Sequence, residues 1–260
     1  METIGLFSDQ VETLRVRWVV PGDLGTGEAP LVCRGADGCD YVVKDGKTHT
    51  AIPHSEWFCS ELGERVGIAA PPHKIMDMGN GSTAFGSRWQ GGVLSPEGSV
   101  PWYDRVKTGE IALSELRLAL SRIYAFDQFV HNQDRHAANV LVHPQFKGHA
   151  VLAFDYSQAW LCFGFPLDAP PLPEACKTVF VQRALRKKWS YDYIDAGVVK
   201  ETCELISSVS TSIVEKIIHS HPSDWLLAST KQDIIEWWGS EDMKSRLALI
   251  VEGVENGNCL

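Results

Sequence analysis

The sequence predicts an α+β chain with two lobes: a small antiparallel β lobe that contains one helix, and a mainly α-helical lobe after it. In residues 1–90, short stretches of alternating apolar and polar residues stand between Gly, Pro and Asp turn signals. After residue 101, apolar residues recur at three- and four-residue steps, a spacing typical of helices. Residues 91–101 are rich in Gly, Ser and Pro and form the expected linker. We therefore expect lobes at residues 1–90 and 102–260.

The elements of the first lobe follow from alternation and turn chemistry. Residues 13–20 alternate apolar and charged side chains, which predicts a strand. Pro53 opens a helix, and Gly67 with Pro71 ends it. Further strands are predicted at residues 31–33, 41–43, 74–78 and 83–89.

The second lobe begins with a long helix, predicted from about residue 109 to residue 131 by its apolar stripe. Short strands are predicted at residues 140–142 and 151–154, so Asp155 lies just beyond a strand end. Later helices are predicted from a stripe over residues 205–217, a capping box that begins at Thr230 and an N-cap at Ser240.

Charge and composition exclude several classes of protein. The 260 residues contain 24 Lys and Arg against 33 Asp and Glu, a formal net charge of −9, which argues against a nucleic-acid binder held by phosphate contacts. Seven cysteines without a close CxxC pair predict reduced thiols in the cytoplasm rather than a disulfide framework or a zinc site. Because no long apolar run occurs, we expect no membrane span.

The most informative segment is N-Q-D-R-H-A-A-N at residues 132–139. It places Asp134 and Asn139 five positions apart in a loop between the long helix and a strand, and Asp155 ends the partner strand. Phosphoryl transfer needs such a group, because one carboxylate orients the attacking hydroxyl and hard oxygen ligands hold Mg²⁺. A transition-metal site of His131, Asp134 and His136 is disfavoured, because it lacks the helical His pair of HExxH sites.

A second pattern lies upstream. Lys44 ends a β-branched strand, and Glu56 follows twelve residues later in the first turn of the predicted helix. In kinases a strand Lys binds the α- and β-phosphates of the nucleotide, and a helix Glu holds that Lys. Glu61 and Glu64 lie on the same helix and are alternatives for this role.

A turn-rich segment precedes the Lys strand. Gly25 and Gly27 permit close approach of the backbone to a ligand, so Gly25, Thr26 and Gly27 are predicted to cover the nucleotide phosphates. Thr26 is also predicted as an autophosphorylation site, since a phosphate there would repel ATP.

With these motifs the sequence resembles the HipA-like kinases, most closely their small single-module branch, and more distantly the phosphatidylinositol kinases. The segment at 132–139 matches the N-x-D-R-H-x-x-N loop of that family, and Asp155 matches its metal-binding Asp. The resemblance implies a bilobal protein-kinase-like fold with residues 85–88 as the adenine hinge. It also implies a role for each matched residue: Asp134 as catalytic base, His136 as an aid to charge neutralisation, Arg135 as loop support, Asn139 and Asp155 as Mg²⁺ ligands, Lys44 as ATP contact and Glu56 as its support.

The function predicted is transfer of the γ-phosphoryl group of ATP, with Mg²⁺, to a hydroxyl, with Ser or Thr of a protein substrate as acceptor. An antitoxin-like or regulatory protein is a further expected partner. Two alternatives remain open from the sequence: a nucleotide-binding pseudokinase, and a kinase that acts on a lipid headgroup or another small hydroxyl.

Overall fold

The structure, a computed structural model, describes residues 11–20, 31–47, 49–91, 100–190 and 192–257. The fold is mixed α+β, as the sequence predicts. The strands are β1 (Thr13–Val20), β2 (Leu31–Gly35), β3 (Asp40–Lys44), β4 (His73–Asp77), β5 (Thr83–Arg88), β6 (Val140–Pro144) and β7 (His149–Ala153). The α-helices are α1 (Ile52–Arg65), α2 (Trp102–Thr108), α3 (Leu113–Phe129), α4 (Lys177–Trp189), α5 (Ala196–Ser208), α6 (Thr211–His219), α7 (Ala228–Trp237) and α8 (Glu241–Glu255).

The first five strands close into a barrel in the order β1-β2-β3-β5-β4. Four neighbouring pairs are antiparallel, but β1 and β4 are parallel, with Thr13 opposite Ile75. The prediction of a purely antiparallel sheet is wrong at this pair. Helix α1 connects β3 to β4 and returns the chain to the end of the barrel where β3 begins. Strand β4 therefore runs in the same direction as β3 and β1, and such a helical crossover permits parallel pairing. Closure of the barrel leaves none of these strands with a free edge.

Helix α1 connects the barrel to the helical part of the chain. Pro53 lies in its first turn, where the missing N–H costs nothing, and Gly67 follows it with φ +81°, a backbone conformation that favours glycine. Its buried Phe58 stacks on Trp160, with ring centroids 4.6 Å apart. The helix that carries Glu56 is thus packed into the largest cluster of buried apolar side chains, the main core.

The helix predicted from about residue 109 to residue 131 is α3, which runs from Leu113 to Phe129. It begins a few residues later than predicted, because Gly109, with a φ of +78°, ends the preceding helix α2. The stripe over residues 205–217, by contrast, is divided between α5 and α6, because Val209 is extended between them. Backbone geometry at single residues thus sets where these helices begin and end.

Two N-cap predictions have different outcomes. Ser240 caps α8, accepting a hydrogen bond from the Met243 N–H at 3.3 Å. Thr230 lies inside α7, which begins at Ala228, so the capping box predicted there is wrong.

Helix α3 runs through the middle of the main core. Its Leu116, Phe126 and Phe129 are fully buried. Arg246 of α8 donates hydrogen bonds to the backbone oxygens of Gln128 at 2.9 Å and Phe129 at 2.8 Å. These bonds satisfy carbonyls that the end of a helix otherwise leaves without partners. The segment that follows α3, which includes Asp134, therefore starts from a fixed point.

Two expectations from composition can be compared with the described residues. None of their helices is long and apolar enough to cross a membrane. None of the six cysteines that they contain forms a disulfide.

Candidate active site

Three elements bring charged side chains together at one end of the barrel. Lys44 at the end of β3 lies with its Nζ 2.6 Å from Glu56 Oε1 of α1, and it also donates a hydrogen bond to Asp155, which follows β7. The alternative partner Glu61 instead binds Arg65 at 2.8 Å and His73 at 3.1 Å. The structure therefore pairs Lys44 with Glu56.

Burial and charge oppose each other in this triad. Burial alone would lower the pKa of Lys44, but Glu56 and Asp155 outweigh it and raise that pKa, so the ammonium stays charged. Burial would likewise raise the pKa of Asp155, but Lys44 and the Ser157 hydroxyl hold it well below its usual range. For Glu56, burial dominates and raises the pKa, with partial compensation by Lys44. Asp155 is thus the carboxylate that keeps its negative charge most firmly.

The backbone at Asp155 is unusual. Its φ of +66° lies in the left-handed region, where Cβ crowding costs a non-glycine residue about 1–2 kcal/mol. The Ser157 hydroxyl donates to Asp155 Oδ1 at 2.7 Å, which holds the carboxylate in place. This turn directs the chain away from β7 at the residue that meets Lys44.

The loop at residues 132–139 is held by its own polar groups. The Asp134 N–H donates to Asn132 Oδ1 at 3.1 Å, and the Asn139 side-chain amide donates to the Asp134 backbone oxygen at 3.2 Å. The Phe154 N–H donates to the Asn139 backbone oxygen at 3.2 Å. Asp134 and Asn139 are therefore linked to each other, and the loop is linked to the segment that carries Asp155.

The Arg135 side chain connects the loop at residues 132–139 to the segment that carries Asp155. Its guanidinium binds the buried Asp127 carboxylate, with Nε 3.0 Å from Oδ2 and Nη2 3.0 Å from Oδ1. Its Nη1 donates to the backbone oxygens of Asn139, at 3.1 Å, and Phe154. The group also lies 4.7 Å from the ring centroid of Tyr156. Arg135 thereby fixes the loop, as the family resemblance implies.

Sequence reasoning missed Asp127, which α3 places with 1% of its surface exposed. Burial raises its pKa, and Arg135 opposes that shift. The sequence feature that could have indicated Asp127 is its place among the mostly apolar and aromatic residues 123–130, where an unpaired buried charge would be costly. Such a residue needs a buried cation, and Arg135 supplies it.

His136 is a half-buried residue of the loop itself. Burial, followed by the nearby charge of Lys177, lowers its pKa below the ordinary value for histidine. We therefore expect a neutral imidazole near pH 7. The role of His136 in charge neutralisation stays a prediction.

Two further predictions concern nucleotide contacts. Gly25, Thr26 and Gly27 lie outside the described residues, so the covering loop stays a prediction. Residues 85–88 were expected to form a hinge, but they lie within β5, between β3 and β4. Gly86 is there for packing, because a Cβ at that position would lie 2.5 Å from Met76 Cγ.

The residues predicted to hold Mg²⁺ offer hard oxygen donors. Asn139 uses its amide nitrogen on Asp134, which leaves its side-chain oxygen as the donor to a cation. Asp155 accepts from Lys44 and Ser157 through Oδ1, so Oδ2 is the second donor. Within the described residues no cluster of three or more His, Cys, Asp or Glu side chains forms a metal site. A pair of protein oxygens still suits Mg²⁺, which is usually completed by nucleotide phosphates and water.

The chain is similar to known proteins in sequence and in fold. A sequence model described as HipA-like kinase matches residues 24–252. The crystal structure of the Helicobacter pylori proinflammatory kinase CtkA is similar in fold, with a TM-score of 0.59 and 12% identity over 95% of this chain and 99% of that one. HipA of Shewanella oneidensis MR-1, solved with HipB and operator DNA, gives a TM-score of 0.45 and 11% identity over 85% of this chain and 57% of that one. No curated protein sequence matches significantly. With its family match over most of its length, the chain belongs to the HipA-like kinase family.

Proposed function

We propose that this protein is an ATP- and Mg²⁺-dependent kinase that transfers the γ-phosphoryl group to the hydroxyl of a protein Ser or Thr. The observation that supports this most strongly is the contact of Lys44 with both Glu56 and Asp155. A strand Lys held by a helix Glu and placed beside a metal-binding Asp is the group that kinases require to position nucleotide phosphates. In this proposal residues 1–90 and 102–260 form the two lobes, and the nucleotide lies between them.

Each remaining group has a defined task in the transfer. Asp134 orients the acceptor hydroxyl and takes its proton as the acceptor oxygen bonds to the γ-phosphorus. The bond from the γ-phosphorus to the β,γ-bridging oxygen breaks, and its electron pair leaves with ADP. Asn139 and Asp155 would hold Mg²⁺, which supplies charge neutralisation at the phosphates when bound. Gly25, Thr26 and Gly27 are proposed to cover the phosphates.

The substitution Asp134→Asn tests this assignment, because it removes the proton acceptor while leaving the size of the side chain unchanged. We expect ATP binding to be retained and transfer of labelled γ-phosphate to be lost. Unchanged turnover in this variant would contradict the assignment of Asp134. Asp233→Asn, on α7 and outside the loop, is the matched control.

The same labelled nucleotide distinguishes the acceptors. Label in a discrete protein band of a host-cell lysate supports the protein kinase, whereas label confined to the lipid or small-molecule fraction shows a different acceptor. Binding of nucleotide without any labelling would support a pseudokinase. A co-purified regulatory partner of the antitoxin type, and a reducing compartment such as the cytoplasm, stay predictions. The described cysteines, none of which forms a disulfide, suit the latter.

A further inference from the structure

Helix α4 begins directly against the loop that carries Asp134. Thr178, fully buried in the first turn of α4, donates to the backbone oxygen of Asn132 at 2.7 Å and accepts from the Arg135 N–H at 2.8 Å. Its own N–H donates to the backbone oxygen of Gln133 at 3.2 Å. These three bonds contact the loop on both sides of Asp134. The first turn of α4 therefore has a fixed position relative to this carboxylate.

Lys177, the residue before Thr178, is placed beside Asp134 by this docking. Its Nζ lies 2.9 Å from Asp134 Oδ1, although 43 residues separate the two in sequence. Both side chains are accessible, with 53% of Lys177 and 33% of Asp134 exposed. An accessible pair of this kind contributes little to stability. Its position matters more, because an acceptor hydroxyl must approach the same carboxylate.

The other cationic side chains close to this site, Arg135 and Lys44, already bind other groups of the protein. Arg135 is buried against Asp127 and two backbone oxygens. Lys44 is bound by Glu56 and Asp155. Among the described Lys and Arg side chains of this loop and the first turn of α4, Lys177 is thus the accessible one.

We propose that Lys177 is a catalytic residue that moves from Asp134 to the γ-phosphoryl oxygens as the acceptor hydroxyl binds Asp134. This inference rests on the proposed kinase function. The ammonium donates hydrogen bonds to the phosphoryl oxygens and gives up no proton; the proton of the acceptor goes to Asp134. Negative charge spreads over these oxygens as the phosphoryl group transfers, so a cation placed there stabilises the transition state more than the ground state.

The test uses Lys177→Ala, the conservative Lys177→Arg and the control Lys187→Ala, which changes an exposed lysine in the last turn of the same helix. The first readout is the affinity for ADP with Mg²⁺, with and without aluminium fluoride, a mimic of the transferring phosphoryl group. We expect wild type, Lys177→Arg and Lys187→Ala to bind ADP more tightly with aluminium fluoride. Lys177→Ala should lose that gain while its affinity for ADP alone stays within about twofold.

The second readout is steady-state transfer to myelin basic protein. We expect kcat of Lys177→Ala to fall about 100-fold, the effect of removing one such stabilising donor, with KM for ATP little changed. Lys177→Arg should recover a large part of that loss.

An undiminished aluminium fluoride gain in Lys177→Ala would overturn the catalytic role while leaving the kinase function intact, whether or not kcat falls. A wild-type protein that binds no nucleotide and transfers no phosphate would overturn both proposals.

Discussion

Ser55 donates a hydrogen bond to the backbone oxygen of Tyr156 at 2.7 Å, with a second carbonyl, that of Ala159, 2.8 Å away. Ser55 precedes Glu56 on α1, and Tyr156 follows Asp155. This fully buried contact therefore sets the distance between the two carboxylates that share Lys44. The arrangement of the site depends on it as much as on the ion pairs themselves.

Replacement of this hydroxyl, Ser55→Ala, should lower the free energy of unfolding by about 1–3 kcal/mol, because buried carbonyls lose their donor. We also expect weaker binding of Mg²⁺·ATP, since Glu56 and Asp155 are no longer fixed together. Urea unfolding and calorimetric titration measure the two effects. Ser114→Ala on the exposed side of α3 should change stability by less than about 0.5 kcal/mol; an equal loss in both variants would refute the structural role of Ser55.

The buried ion pair of Arg135 and Asp127 gives a second prediction. Asp127→Asn leaves the guanidinium buried without its charged partner, so we expect a loss of about 3–5 kcal/mol in the free energy of unfolding. Glu174→Gln breaks the exposed pair with Arg183 and should cost less than about 1 kcal/mol. Chemical denaturation of both variants measures these losses. Similar losses in the free energy of unfolding would contradict the larger contribution expected of the buried pair.

Removal of the central cation should act on nucleotide binding. Lys44→Met takes away a charged donor to the phosphates, and hydrogen bonds to charged groups contribute about 1.5–3 kcal/mol, so the Kd for ATP should rise about 10- to 100-fold. The control Lys47→Met changes a lysine of which 83% is exposed, and it should leave the Kd unchanged. A Kd that stays at the wild-type value in Lys44→Met would contradict the assigned contact.

A pair of buried histidines predicts the pH dependence of stability. His54 Nδ1 lies 2.8 Å from His221 Nε2, and His221 Nδ1 lies 2.8 Å from the backbone oxygen of Pro222. Because that oxygen only accepts, His221 donates from Nδ1 and accepts from His54. Burial lowers the pKa of His221 to about 4, and burial with the neighbouring His221 ring lowers the pKa of His54 well below its usual value.

The unfolded chain therefore binds more protons than the folded one as the pH falls below about 6.5, and stability is lost in that direction. Through His221 alone, we expect a loss of about 2 kcal/mol at pH 5 relative to pH 7.5. Urea unfolding of His221→Gln at both pH values should show a smaller difference than wild type. The exposed control His219→Gln should retain the wild-type difference; equal pH dependence in His221→Gln and wild type would be the contrary result.

Local patterns predicted much of the fold but not its long-range contacts. The strand over residues 13–20 follows from alternation, yet nothing local to it indicates parallel pairing with β4. The apolar stripe that predicts α3 could not reveal that Gly109 adopts a left-handed backbone. Periodicity reports which side chains are buried, whereas strand pairing and helix ends depend on distant partners and on single backbone angles.

The candidate site shows the same division. Lys44, Glu56 and Asp155 follow from motif spacing, and the structure brings them into contact. Lys177 and Thr178 carry no motif, because their placement beside Asp134 comes from the docking of α4 on the loop. Groups that depend on tertiary packing become visible only in the folded chain.

The most direct test of the kinase assignment pairs two assays on wild type and Asp155→Ala. One is calorimetric titration with ATP in the presence and absence of Mg²⁺, and the other is transfer of labelled γ-phosphate into a host-cell lysate. The assignment predicts Mg²⁺-dependent binding and a labelled band in wild type, with both lost or strongly weakened in the variant. Equal binding and labelling by the two proteins, or no nucleotide binding by wild type, would contradict it.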